Sequence, residues 1–370
     1  MATSHGTLNM TTGPVEVSPS VGNAGVGVIA SPHIGNFWEL HDRTVARLGT
    51  VLGTRSTVLA VPGSIRMGIS LAFANFVEPG MKVLAISNGF WGELLGAYMR
   101  ERGAIVTELK TSDLAPVPIE LVEQALRKER FDLVSIVHCE TNAGIVNPIA
   151  QIGAMVAGTD ALYFVDTACS AGAQPVETDE SHIDIGVTGS HKCLGSLPGL
   201  AILTLSGKAL SRIEGRNSAL CSLSIASLRR EILDRPQRPL FTLPPTLFHS
   251  LATALEELEA DGLDAWFARH RAVAARFRES MRELGMTMLP ELAGTDDRHL
   301  SVAVQAVHYP EGIDDGQFRH RLATEHGIHV IGNIGAWQGR SFRLGLMSAP
   351  QMADETLSRV IGAIGAVLAH

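Results

Sequence analysis

Thr188-Gly189-Ser190-His191-Lys192-Cys193-Leu194-Gly195 closes an apolar run, Ile183–Val187, with a glycine-flanked turn that carries a lysine. A turn at the end of a buried strand presents its side chains where open parallel sheets bind ligands, outside the carboxyl ends of the strands. The same rhythm extends outward in both directions. Val58-Leu59-Ala60-Val61 runs into Pro62-Gly63-Ser64 and a helical stretch to about Val77. Lys82–Ile86 runs into Ser87-Asn88-Gly89 and a helix to Glu101. Leu133–Val137 ends at His138-Cys139-Glu140, Ala161–Val165 ends at Asp166, and Gly199–Leu205 reads as one more strand. Alternating strand and helix signals imply an α/β fold with a mostly parallel sheet covered on both faces.

Before this core, Phe37, Leu40, Val45, Leu48 and Leu52 recur at helical spacing. The residues ahead of it are rich in Gly, Pro, Ser and Thr, and the pattern predicts an extended arm over 1–25. A large domain is expected over 26–250. Thr246 to about Leu284 is strongly helical, broken near Gly262. Strand signals at Leu300–Val307, Ile328–Ile331 and Phe342–Leu344 alternate with helices at Gly316–His326 and from Ala353. This predicts a smaller α+β domain over 251–370.

The chain has 370 residues, 45% hydrophobic and 18% charged, with a net charge of −8. That composition suits a large packed interior rather than a disordered chain. The acidic balance offers no basic stripe for nucleic acid. No apolar run approaches the roughly 18–20 residues that span a bilayer, and the first residues lack the pattern of a secretory signal. Cys139, Cys169, Cys193 and Cys221 form no Cys-x-x-Cys pair and read as reduced thiols of a cytoplasmic protein. His138-Cys139-Glu140 matches half of a zinc deaminase signature, but no Pro-Cys-x-x-Cys follows, so no metal is expected. Nucleotide loops and serine-hydrolase elbows are likewise missing from the sequence.

Lys192 reads either as a loop-tip cation or as an amine beside a cleft, where desolvation favours Schiff-base chemistry. Asp166, closing a buried strand, needs a partner. A protonated pyridine nitrogen, an internal arginine or a backbone cap would each serve. Gly63-Ser64-Ile65-Arg66 is either an ordinary helix cap or an anion site built from backbone N–H groups, a hydroxyl and a guanidinium. Trp91, at the next strand-to-helix junction, is a core residue or a platform for a flat ring.

Together these segments resemble the class V aminotransferases, members of the fold-type I pyridoxal-phosphate enzymes, from Thr12-Gly13-Pro14 to Arg343-Leu344-Gly345. Within that family the order of segments is similar to alanine–glyoxylate (serine–pyruvate) and pyridoxamine–pyruvate aminotransferases. Glu140-Thr141-Asn142-Ala143-Gly144 followed by Asn147-Pro148-Ile149 is similar to the latter group. The resemblance implies a large domain with a mostly parallel seven-stranded sheet, a small C-terminal domain, and pyridoxal 5′-phosphate as cofactor. It implies that Lys192 forms the internal aldimine and shuttles a proton, and that Asp166 pairs with the pyridinium nitrogen. Trp91 takes the ring-stacking position, Thr141 reaches the ring's 3-oxygen, and Ala168 is a further cofactor-binding position. Gly63, Ser64, Ile65 and Arg66 match the phosphate cup, with His191 beside it. Thr242 matches a donor supplied by the neighbouring subunit of a homodimer, and Arg343 the arginine that grips the substrate carboxylate.

Several positions depart from the family pattern. Pro239 stands where many relatives place a phosphate-binding tyrosine. Ser64 and Ile334 replace the Glu and Arg that accompany an unphosphorylated vitamer, which favours phosphate binding. Leu346 replaces a histidine, and Trp337 and Gln338 are unusual neighbours. The resemblance implies amino transfer between a small amino acid, alanine or serine in kind, and a pyruvate- or glyoxylate-like 2-oxo acid. A pyridoxal-phosphate lyase, epimerase or carbon–carbon bond-forming enzyme is the alternative, since one cofactor serves all of these. A non-catalytic binding module is disfavoured by the presence of both Lys192 and Asp166.

Overall fold

Residues 6–26, 36–214, 224–235 and 242–369 are described in a computed structural model. The central sheet has seven strands: β1 (Thr57–Pro62), β2 (Lys82–Ser87), β3 (Ile105–Lys110), β4 (Leu133–Val137), β5 (Leu162–Asp166), β6 (Ile185–Gly189) and β7 (Leu200–Leu205). Their spatial order is β1-β7-β6-β5-β4-β2-β3. Only β7 runs against its neighbours, pairing antiparallel with β1 and β6, so the sheet is mostly parallel as expected. Strands β4 to β7 are buried along their whole length, which is why they read as unbroken apolar runs. Alternate residues feed opposite cores: Tyr163 and Val165 join one, Leu162 and Phe164 the other.

Strand β3 was not anticipated from the sequence. It is an edge strand, Ile-Val-Thr-Glu-Leu-Lys, with charged side chains and no fully buried position, a composition that blunts edge-to-edge pairing and masks the strand signal. The helices Ile65–Phe76 and Phe90–Glu101 follow β1 and β2 directly. Helix starts and strand ends therefore gather along one edge of the sheet. Val137 lies opposite Asp166 there, and Asp166 opposite Val187.

The C-terminal part forms an antiparallel sheet in the order β8 (Thr287–Met288), β9 (Val304–His308), β11 (Ser341–Gly345), β10 (Ile331–Gly332). The strand expected at Leu300–Val307 begins only at Val304, because the Ser301 hydroxyl oxygen accepts the N–H groups of Ala303 and Val304 in a turn. The run expected at Ile328–Ile331 divides between two partners. Ile328–His329 pairs with Leu8–Asn9 of the arm, whereas Ile331–Gly332 pairs with β11. Along β11, Phe342 packs against Tyr309 and Phe318 on one side, with ring centroids 5.5 and 5.3 Å away. Strand alternation sends its neighbour Arg343 to the other side.

The arm is tied down by hydrogen bonds to the C-terminal part. Met10 N–H donates to His329 O, and Gly345 N–H donates to Met10 O, both at 2.8 Å. The Gln351 amide donates to the carbonyls of Asn9 and Thr11. Among the described residues no helix is long and apolar enough to cross a membrane.

Candidate active site

At the carboxyl edge of the main sheet lies a cavity of about 280 Å³, to whose lining β10 contributes Ile331 and β11 Arg343. Lys192 and Asp166 both line it. Asp166 ends β5, is 4% exposed, and accepts the N–H of Ala168 at 2.8 Å. Burial pushes its carboxyl up to about 6, against the pull of that N–H and of Lys192. A cation brought against it would draw the pKa down again and be held in exchange. Lys192 is half-buried, and its Nζ donates to the carbonyl of Thr12. His191 lies beside it, held to about 4 by burial and the neighbouring ammonium, so the imidazole is neutral at pH 7. Its buried Nδ1 has no hydrogen-bond partner among the described residues.

Ser64, Ile65 and Arg66 line the cavity from the start of the helix Ile65–Phe76. The Ser64 hydroxyl caps that helix by accepting from Met67 N–H at 3.4 Å. The first N–H groups of a helix have no acceptor within it, so this turn is suited to an anion. Gly63 shapes the turn without lining the cavity, since its N–H is already engaged by Gly199 O at 2.8 Å. The Arg66 guanidinium sits 5.0 Å from the Trp91 ring centroid, and Trp91 itself faces the cavity. Thr141 lines the cavity with its hydroxyl 3.2 Å from Cys169 Sγ.

Arg343 reaches the cavity from β11. It is 5% exposed and donates through Nη2 to Gly332 O at 2.9 Å, while its Nε has no partner among the described residues. Burial lowers its pKa against the smaller opposing pull of Cys169 and Glu140, and among the described residues no carboxylate lies within ion-pair distance of it. An arginine buried without an anion is poised to receive one.

Sequence reasoning missed a second group of residues. Thr12 and Gly13 bring the arm into the cavity wall, and Gly13 adopts φ +111° where the lysine side chain passes. Cys139, Cys169, Ile69 and Ile331 also line it. The Thr12-Gly13-Pro14 turn was the available signal for the arm; the others are apolar residues with nothing local to mark them. Thr242 is exposed and does not line the cavity of its own chain. Trp337 Nε1 donates to Asp113 Oδ2 at 2.6 Å, and Leu346 is fully buried. Pro239 and Cys221 lie outside the described residues.

A family model for class V aminotransferases matches residues 38–336. The chain belongs to the class V aminotransferases. An uncharacterized aminotransferase of Methanocaldococcus jannaschii is 34% identical over 350 residues, covering 92% of this chain and 87% of that protein. The (S)-ureidoglycine–glyoxylate transaminase of Bacillus subtilis is 27% identical, over 98% of this chain and 90% of that one. The crystal structure of an alanine–glyoxylate aminotransferase from Nostoc sp. superposes with a TM-score of 0.92 at 26% identity, covering 99% of this chain and 96% of that one. This class V aminotransferase is thus an enzyme with the fold-type I architecture, and its cofactor is pyridoxal phosphate. The residues present fit that group. Asp166 is a buried carboxyl without a cationic side chain bonded to it, the helix start at Ser64 is an anion seat, and Lys192 is an amine lining the same cavity.

Proposed function

We propose that this aminotransferase exchanges an amino group between a small neutral amino acid, alanine or serine in kind, and a short 2-oxo acid such as pyruvate or glyoxylate. The observation that carries the reading is Arg343. It is a buried guanidinium with an unpartnered Nε, sharing one cavity with Lys192 and Asp166. Its fork would take the α-carboxylate that both substrate classes have in common. Ile331, its cross-strand neighbour, and Cys169, which lies within its electrostatic reach, line the same cavity. Uncharged walls of this kind favour a small side chain. The glyoxylate named for two of the relatives supports a short acceptor.

In this reading Lys192 Nζ, oriented by the Thr12 carbonyl, would anchor the cofactor and, once freed by the incoming substrate amine, would be the base that takes the substrate's Cα proton. Asp166 would hold the pyridinium nitrogen. Ser64, Ile65, Arg66 and His191 would hold the phosphate, with Trp91, Thr141 and Ala168 around the ring. Bound there, pyridoxal phosphate supplies an electron sink for the charge left on Cα. Thr242, exposed on its own chain, would complete the phosphate site of a second copy, giving a homodimer with active sites at the interface. Cys139, Cys169 and Cys193 are free and buried, which fits the cytoplasmic protein we take this to be. The division we favour is an arm over 1–25, a large domain over 26–250 and a small domain over 251–370.

Two measurements test this. Borohydride treatment of the cofactor-loaded enzyme followed by peptide mapping should place the reduced adduct on Lys192. Incubation with alanine or serine should convert the cofactor to its amine form with release of one 2-oxo acid per site. Cα deuterium exchange without oxo-acid release would move the reading to an epimerase or lyase.

A further inference from the structure

Glu140 has no solvent exposure, yet the mechanism above does not use it. It lies in the short strand Cys139–Glu140, between two residues that line the cavity, and does not line it itself. Its carboxyl group instead runs under the start of the helix Phe90–Glu101. There Oε2 accepts the N–H of Trp91 at 3.1 Å and of Gly92 at 3.2 Å, while Oε1 lies 3.3 Å from Trp91 N.

Two further observations tie this contact to the indole. The first is Gly89. A Cβ there would lie 2.2 Å from Glu140 Cγ and 2.5 Å from Cδ. Gly89 has φ 172°, ordinary extended backbone, so what glycine provides at this position is space for the Glu140 side chain. The second is Trp91 itself, whose buried Nε1 has no hydrogen-bond partner among the described residues. The ring is held by its backbone and by its neighbours Arg66 and Phe90, whose ring centroid is 5.3 Å away, and not by its own polar atom.

We propose that Glu140 is a positioning residue for the cofactor: by clamping the Trp91 and Gly92 amides it fixes the indole against the ring site. The inference rests on the reading of Trp91 as the residue that covers the cofactor ring. A carboxyl at a helix start is favoured by the unpaired N–H groups and the helix dipole. Here the same bonds set the angle of a flat platform whose stacking depends on ring geometry.

The test uses the full-length protein, with equilibrium binding of pyridoxal phosphate and the induced circular dichroism of the bound cofactor as readouts. Far-UV spectra check the fold. Glu140→Ala should weaken cofactor binding about tenfold and reduce the induced signal. Glu140→Gln, which keeps an acceptor oxygen at the same reach, should restore most of both. Gly89→Ala should reproduce the Glu140→Ala result by displacing the side chain, and it carries the test should Glu140→Ala not fold. In a Trp91→Ala background, the additional effect of either change should fall below twofold. An effect of full size without the indole would show a purely structural role and overturn the inference. Wild-type binding in both Glu140→Ala and Gly89→Ala, with Trp91→Ala weakened, would also overturn it while sparing the reading of Trp91. Wild-type binding in Trp91→Ala would remove that reading, and the inference with it.

Discussion

Replacing Arg343 by glutamine should separate substrate recognition from every other property of the site. The guanidinium already gives one N–H to Gly332 O, and its Nε remains unpartnered, so a carboxylate can take two N–H donors from the fork. Each hydrogen bond to a charged group contributes about 1.5–3 kcal/mol. Glutamine retains one donor, so the expected loss is that of one charged hydrogen bond, about 1.5–3 kcal/mol, or ~10–10²-fold in kcat/KM for alanine. Arg343→Lys keeps the charge but not the planar fork, and should fall between wild type and Arg343→Gln. A simple primary amine without a carboxylate provides the internal control. Its rate of reaction with the loaded enzyme, followed by stopped-flow absorbance, should be unchanged in all three proteins. The stability of the cofactor-free protein should move the opposite way. The substitution removes a guanidinium that is 5% exposed and has no anion paired with it, and should raise the unfolding free energy by about 1–2 kcal/mol. Equal losses for alanine and the simple amine, or no loss for alanine, would refute the reasoning.

Burial pushes the Glu140 carboxyl from 4.5 up to about 7. The folded cofactor-free protein therefore keeps a proton that the unfolded chain has released, and stability falls as pH rises through that window. Glu140→Gln has no such proton. Its unfolding free energy relative to wild type should rise by about 2–3 kcal/mol between pH 5 and 8, measured by urea titration. Buried His138 and His270 and half-buried His191, all lowered by desolvation, act in the opposite sense and cancel in that difference; a pH-independent difference would refute the assignment. Gly13→Ala would put a Cβ 2.6 Å from Lys192 Cδ at φ +111°, and should reduce the fraction of sites whose adduct borohydride can fix. Gly153→Ala would bring a Cβ within 1.9 Å of Ser181 O, far from the cavity. It should cost about 1–3 kcal/mol in urea unfolding while leaving turnover per folded molecule unchanged.

The buried strands and the turns that follow them were legible because strand burial and turn chemistry are local properties. Asp166 ends an apolar run and Lys192 sits in a glycine-flanked turn, so both stand out without knowledge of the fold. Strand β3 was not legible, because half-exposed positions and charges dilute the apolar signal. Arg343 sits in an unremarkable strand, and only the resemblance singled it out. Its meaning comes from burial without an anion, which is a tertiary property. The contact between Thr12 and Lys192 joins residues 180 apart in sequence, and no local pattern encodes it. Glu140 drew notice as half of a metal signature. Its actual setting, under the amides of a helix that begins some fifty residues earlier, requires the sheet to bring β2 and β4 side by side.

The segment Leu8–Thr12 is stitched to β11 and its neighbours, yet its last carbonyl touches an amine in the turn that follows β6 of the main sheet. Any displacement of that segment together with β11 would thus move the acceptor that the reactive nitrogen holds.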